Sequence, residues 1–402
     1  MSVFNEYSKL KAVMVGKCYS SDITKKIWKN NISDKIIKSL CKINDETNED
    51  LDNLQLYLEK EGVKVYRPNI DKVWEIYDFY KERIVPVQPG ACRDWLFAYG
   101  DLILIGQNSF NGRMFEHMFW EECFSDLAET YNKLIFSVPL FSTMDLEDVK
   151  SDFIDNYEFY NSEMIKQSTE YVGKNSPWKE IGNCILHKDN SKERMRDIHL
   201  YRFSKFKKKF LVHGANYFKL DDTILGSPVQ SSINGFNWFE KTIKRFYPET
   251  KFMYQNTFGH IDGDCGILDK DLYMSGWNKP SLNNLGMTRI PFDDWEDPNL
   301  HPFDAQIKKV VKESANFNKL FSINNFEKFA EYIYNLRGYD QRVDFDMNSL
   351  AIEPRKIIAG IFDKEKVNFL ESKGVEVINL PIRHRWVIDG GIHCYTNDVE
   401  RA

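Results

Sequence analysis

GGIHCYTNDVER, residues 390–401, stands one residue from the end of a 402-residue chain. Chain ends fray unless something holds them. A Gly-Gly pair frees φ or lets another group approach the backbone closely. The thiol that follows, Cys394, can be read two ways. A free cysteine packs as a small hydrophobe. It becomes a nucleophile where a partner lowers its pKa or takes its proton, and histidine is the usual partner. His393 is adjacent, but neighbours on a strand point to opposite faces. A base therefore has to come from elsewhere in the chain.

Composition narrows the function. Apolar residues make up 42%, charged residues 28%, and the formal net charge is −6. That argues against bulk attraction to nucleic acid or an anionic membrane. No apolar run reaches the roughly 18 residues of a membrane span. MSVFNEYSKLKAVMVG reads as a strand rather than a signal peptide. The seven cysteines are scattered and never form a CxxC pair. This suits a reduced, cytoplasmic setting and provides no zinc site.

Short apolar strands alternate with amphipathic helices. LKAVMVG (10–16) reads as a strand, and residues 45–62 carry leucines at helical spacing up to a glycine stop. VKVYRP and DLILIGQ (101–107) read as strands, residues 115–135 as one helix, and FNWFEKTIKRFYPE followed by KFMYQ as helix then strand. RKIIAGI, DKEKVNFLESKG and VEVINLP repeat the rhythm. Repeated αβ or ββαβ units indicate an α/β fold. The expected organisation is one domain over 1–402 with a polar helical or loop insertion around 146–200. SKFKKKF (204–210) reads as a solvated edge strand, and residues 290–304 as a long loop at a rim.

Three further places carry chemistry-bearing residues. CRDWLFAYGDLILIG puts Arg93 and Asp94 before an aromatic run, LVHGANYF carries His213, and GHIDGDCGIL carries His260, Asp262 and Asp264. On an extended strand those last three share a face. His-x-Asp-x-Asp could ligate a metal only with further ligands and their supports, and no matching cluster accompanies it, so neither metal nor cofactor is expected. Carboxylates pair with guanidinium groups through two parallel hydrogen bonds. A cysteine, a histidine and two aspartates together suggest attack of a thiolate on a guanidinium carbon.

These segments, taken in order, resemble the amidinotransferases, the arginine:glycine branch of the guanidino-modifying (pentein) superfamily. NEYSKLKAVMVG is similar to the family's opening strand, CRDWLFAYGDLILIG to its Pro-Arg-Asp segment with Cys92 in place of proline, and GRMFEHMFWEE to the helix that follows. GHIDGD matches its His-x-Asp motif and GGIHCYTNDVER its ending. The resemblance implies a five-bladed α/β propeller with pseudo-fivefold symmetry. It implies Cys394 as the nucleophile that carries a covalent amidino group and His260 as general acid and base. Asp94 and Asp262, beside Arg93, would hold the guanidinium. Lys279 falls where the family has an arginine for a substrate carboxylate, without that arginine's bidentate fork. Asp346 lies beside a segment facing the donor's amino-acid end. The partners implied are a small-molecule donor and an amine acceptor, and a homodimer stays open.

His213 breaks the pattern, because it stands where the family carries an acid that pairs with the guanidinium. A neutral imidazole has one acceptor, a carboxylate two oxygens. The expected function is amidino transfer from arginine or a related donor. The alternative keeps Cys394 and His260 for a deiminase-like hydrolysis or an acyl transfer.

Overall fold

The computed structural model describes residues 2–29, 34–79, 87–107, 113, 115–139, 210–227, 231–255, 257, 260–276, 279–292, 343–385 and 390–402. The insertion expected around 146–200 lies outside these residues. So do residues 204–209 and 293–304 of the expected basic strand and loop.

Five three-stranded sheets repeat one pattern. In four of them a hairpin is followed by a helix and a third strand parallel to the middle one. These are β3 (Leu96–Tyr99), β4 (Leu102–Ile105) and β5 (Leu134–Ser137); β6 (Tyr217–Leu220), β7 (Thr223–Gly226) and β8 (Lys251–Tyr254); β9 (Cys265–Asp269), β10 (Leu272–Ser275) and β11 (Thr288–Pro291); and β12 (Leu350–Glu353), β13 (Lys356–Ala359) and β14 (Glu376–Asn379). The remaining sheet joins the chain's two ends. β1 (Leu10–Val15) lies antiparallel to β15 (Thr396–Arg401) and parallel to β2 (Lys64–Tyr66).

The middle strand of each sheet and the strand antiparallel to it bury both faces, as a sheet covered on both sides requires. In β1, Ala12 and Met14 enter one apolar cluster, while Leu10, Val13 and Val15 enter another. The second cluster also takes Leu51, Leu54 and Leu58 from the helix Asp34–Lys60. In β3, Leu96 and Ala98 face the first cluster, while Phe97 and Tyr99 face the next. The same sharing continues through β6, β9 and β12. Each cluster is thus held between two successive sheets, and the last lies between the β12–β14 sheet and the chain-end sheet.

Boundaries shift where propensity yields to packing. The single helix expected over 115–135 divides into a 3₁₀ turn Glu116–Trp120 and an α-helix Glu121–Tyr131. Asn132, at φ 53°, ends the helix in the left-handed region. Leu134 and Ile135 then join β5. The loop expected from 290 begins two residues later, because Ile290 and Pro291 end β11.

The most informative strand is β15. TNDVER is buried throughout despite its charge. Lys219 and Arg401 pair with Asp398, Lys133 pairs with Glu400, and the Asn397 amide donates to the Leu96 carbonyl. These contacts and the β1 ladder tie down the chain's last strand.

Candidate active site

Every sheet is entered through a short turn, and these turns supply the candidate site. Cys92–Asp94 precedes β3, His213 with Gly214–Asn216 precedes β6, and Ile261–Asp264 precedes β9. Val343–Met347 with Asn348 precedes β12, and the Cys394 turn precedes β15. Asp94, Asn348 and Cys394 each stand two residues before their strand. The turns touch in succession, and the last meets the first where the Arg93 N–H donates to the Cys394 carbonyl at 3.3 Å. These approaches demand glycine. A Cβ on Gly214 would lie 2.1 Å from the Leu96 carbonyl oxygen. One on Gly391 would lie 2.7 Å from the Asn348 Cβ, and one on Gly390 2.8 Å from the Cys394 Cβ.

The Cys394 Sγ lies 3.3 Å from Asp262 Oδ2 and 3.1 Å from Asn348 Nδ2. Burial pushes the thiol well above its usual range, and the charges of Asp262 and Asp94 and the hydrogen bond to Asp262 push it further. The sulfur therefore rests as a thiol that donates to Asp262. The reasoning that set His393 aside assumed a strand. The backbone here is a turn instead, with the Thr396 N–H bonded to the His393 carbonyl. His393 Nδ1 consequently reaches the same Asp262 Oδ2 at 3.1 Å, and its Nε2 lies 3.5 Å from Glu6.

His260, Asp262 and Asp264 do not share a face, because Ile261–Asp264 is a helical turn rather than a strand. Asp262 turns toward Cys394, and Asp264 turns away to Lys279. Burial raises the Asp262 carboxyl, but the His393 hydrogen bond and the charges of His393, His260 and Arg93 hold it below its ordinary value. Asp262 Oδ1 is buried and makes no hydrogen bond among the described residues. His260 Nδ1 lies 3.5 Å from Asp94 Oδ1. A carboxylate only accepts, so Nδ1 carries the proton and Nε2 is the basic nitrogen. Nε2 likewise makes no hydrogen bond among the described residues. The other Asp94 oxygen pairs with Arg113, whose fork also grips Glu116 at 2.8 and 2.9 Å.

No protein-family profile matches the chain, and no curated protein sequence matches it. Solved structures do. The inosamine-phosphate amidinotransferase StrB1 from Streptomyces griseus superposes with a TM-score of 0.60 over 100% of this chain and 97% of its own, at 15% identity. SxtG, an amidinotransferase of the saxitoxin biosynthetic pathway from Microseira wollei, gives 0.59 over 100% and 97%, at 14% identity. The chain has the amidinotransferase fold. At these identities the likeness is one of fold, and the chemistry has to be argued from the side chains.

On this amidinotransferase fold the expected site residues divide. Cys394, His260, Asp94 and Asp262 come together, and His213, fully buried, sets its ring 5.3 Å from that of His260. Three others have internal partners. Arg93, expected beside the substrate, donates Nε to the His393 and Thr396 carbonyls at 3.0 and 2.9 Å and Nη2 to Asp398 at 2.7 Å. It braces the Cys394 turn from behind. Asp346 lies between Arg385 at 2.8 Å and Lys366 at 2.7 Å, all three buried. Lys279 donates to Asp264 at 2.9 Å. Buried charges are paired because an unpaired one is costly, which is why these three turn inward.

Sequence reasoning missed Asn348, Glu6 and Arg113. Each sits inside a segment that drew attention, in MNSL, NEY and GRMFEH. The ordinary polar types there gave no sign of which side chain would meet the site.

Proposed function

We propose that this chain is an amidinotransferase that moves an amidino group from arginine or a related guanidine to an amine, with Cys394 as the covalent carrier. The observation that carries this reading is the convergence of the Cys394 thiol, the basic nitrogen of His260 and the carboxylates of Asp94 and Asp262 in one buried site. On this reading the five sheets are the blades of a propeller and their entry turns line its centre.

The donor's guanidinium lies against Asp94 and Asp262, where the bare Asp262 Oδ1 accepts an N–H. Its positive charge offsets the two carboxylates that hold the thiol protonated, so the sulfur ionises as the donor binds. His260 Nε2 takes the thiol proton. Sγ bonds to the guanidinium carbon, and His260 passes the proton to the departing nitrogen as its C–N bond breaks. The acceptor amine then attacks the S-amidino carbon, gives its proton to His260, and the C–S bond breaks. Intact-mass spectrometry after incubation with arginine tests this. The expected result is one amidino adduct on Cys394, lost when an amine is added. An unmodified protein under turnover conditions overturns the covalent step.

His213 and Arg113 favour a second reading. One imidazole replaces an expected carboxylate, and Arg113 engages one oxygen of Asp94. The site thus offers fewer acceptors to a guanidinium. On this second reading Cys394 and His260 serve a hydrolysis or an acyl transfer. Citrulline from arginine indicates hydrolysis, ornithine indicates transfer, and neither product indicates another electrophile.

A further inference from the structure

Asn348 bonds the Cys394 turn through both its side chain and its backbone. Its Oδ1 accepts the Cys394 N–H at 2.9 Å. Its Nδ2 lies 3.0 Å from the Asp262 carbonyl oxygen and 3.1 Å from Sγ. Its own carbonyl accepts the His393 N–H at 3.2 Å. Oxygen and nitrogen of a side-chain amide are hard to tell apart by shape, so partners must decide. Here they do. A backbone N–H only donates and a backbone carbonyl only accepts. Oδ1 must face the Cys394 N–H and Nδ2 the Asp262 carbonyl. That orientation leaves the second N–H of the amide for the sulfur.

Apart from a backbone hydrogen bond from Gly391, the other groups acting on Sγ favour the protonated thiol. Asp262 stands at 3.3 Å and the Asp94 charge acts across the site. His393 points its Nδ1 at Asp262, and His260 points its Nδ1 at Asp94. No lysine or arginine side chain is bonded to the sulfur among the described residues. Asn348 is 1% exposed and anchored at three other points, so its N–H needs no reorganisation when charge develops on sulfur.

We propose that Asn348 is a catalytic residue whose amide N–H stabilises the Cys394 thiolate, first as it attacks and again as it leaves the amidino carbon. Asn348 also couples the turn carrying Asp262 to the turn carrying Cys394, so the carboxylate and the sulfur keep their spacing through the cycle. The role in turnover rests on the transfer reading. The effect on the thiol does not, and it is read without substrate.

The test is alkylation of the full-length chain by iodoacetamide, followed at Cys394 by peptide mass spectrometry across pH. Asn348→Asp keeps an oxygen for the Cys394 N–H and removes the N–H facing sulfur. Its alkylation midpoint is expected to rise by about one pH unit or more, a roughly tenfold loss of thiolate at a fixed lower pH. Part of that rise comes from the added carboxylate; Asn348→Ala removes the N–H without adding a charge, and its midpoint is expected to rise too, to a value between Asn348→Asp and the parent. With a working donor, kcat should fall roughly 10²-fold, the cost of one preorganised donor, with KM changing far less. A profile of Asn348→Ala that superimposes on the parent's overturns the proposal. Should the variants fail to fold, the parent labelled with ¹⁵N-asparagine decides. The Asn348 amide signal, identified by its shift in Cys394→Ala, is expected to move with the thiol's ionisation. A signal that stays still across that range overturns the proposal. Failure here with an amidino adduct still forming removes Asn348 and leaves the function standing. A missing adduct with the alkylation shift present does the reverse.

Discussion

Two buried groups of charges lie back to back at the ends of the chain, and they are built differently. Behind the Cys394 turn, Asp398 accepts from Arg93 at 2.7 Å, Lys219 at 2.8 Å and Arg401 at 2.7 Å, and Glu6 adds a second carboxylate near Lys219 at 3.4 Å. Every anion there has a strong cation, and burial of Asp398 is outweighed by Lys219, Arg401 and Arg93, which hold it well below the usual carboxylate range. In front, Asp262 has only imidazole and thiol within bonding reach among the described residues. Two of the site's polar atoms, Asp262 Oδ1 and His260 Nε2, are buried without a hydrogen bond there. The first group is held by lysine and arginine, while the Asp262 carboxylate in the second has no such cation bonded to it among the described residues. Arg93 touches both, since it binds Asp398 and the carbonyl of His393.

The comparison is sharpest when it is broken on the site's side. Cys394→Ala should lower turnover by more than about 10⁴-fold, since loss of a covalent nucleophile removes the pathway. Its thermal midpoint should stay within a few degrees of the parent's. Residual turnover within tenfold of the parent would falsify the covalent role.

On the structural side, Lys219→Met should destabilise the fold by about 2–3 kcal/mol, the loss of charge-assisted hydrogen bonds in a buried group that keeps Arg93 and Arg401. Asp262→Asn should lower turnover at least as far as a missing general base does, roughly 10²-fold, with a much smaller loss of stability. Urea unfolding of both variants decides this. A Lys219→Met midpoint equal to the parent's erases the distinction drawn between the two groups.

His213→Asp tests whether the site can be filled with one more acceptor. It is expected to raise arginine turnover several-fold by restoring a carboxylate to the guanidinium. Initial rates with arginine are compared at a single pH. A fall in rate points instead to an uncharged electrophile, because an added carboxylate would also raise the Cys394 thiol.

The smallest effect concerns acid stability. Burial raises the Glu6 carboxyl, but Lys219, His393 and Arg93 outweigh burial and bring it from 4.5 to about 2. The folded state then binds fewer protons than the unfolded one between those values. The Glu6 contribution is complete above pH 4.5 and is lost as pH falls toward 2. Glu6→Gln should flatten the stability–pH curve in that window. An unchanged slope would show that Glu6 does not titrate with folding.

Much of the site could be read locally. Gly-Gly-x-His-Cys and His-x-Asp mark places where backbones approach closely, and Cys394, His260, Asp94 and Asp262 do converge. Local pattern misled wherever it assumed the wrong backbone. Strand geometry separates His393 from Cys394 and groups Asp264 with Asp262, but the chain turns at both segments. Arg93, Asp346 and Lys279 carry the right charge for a substrate, yet each found an opposite charge within the fold.

The sequence by itself determined the alternation of strand and helix, the apolar faces of the middle strands, and the glycines needed where turns pack closely. Those depend on neighbours a few residues away, through periodicity and backbone sterics. Only the tertiary structure decided which charges are spent on one another and which stay for chemistry. Asn348 and Cys394 are 46 residues apart, Asp262 and Cys394 132, and Arg93 and Asp398 305. An asparagine, an aspartate or an arginine acquires its role from the partner that the packing of sheets places beside it, and that partner is set by distance in space, not by position along the chain.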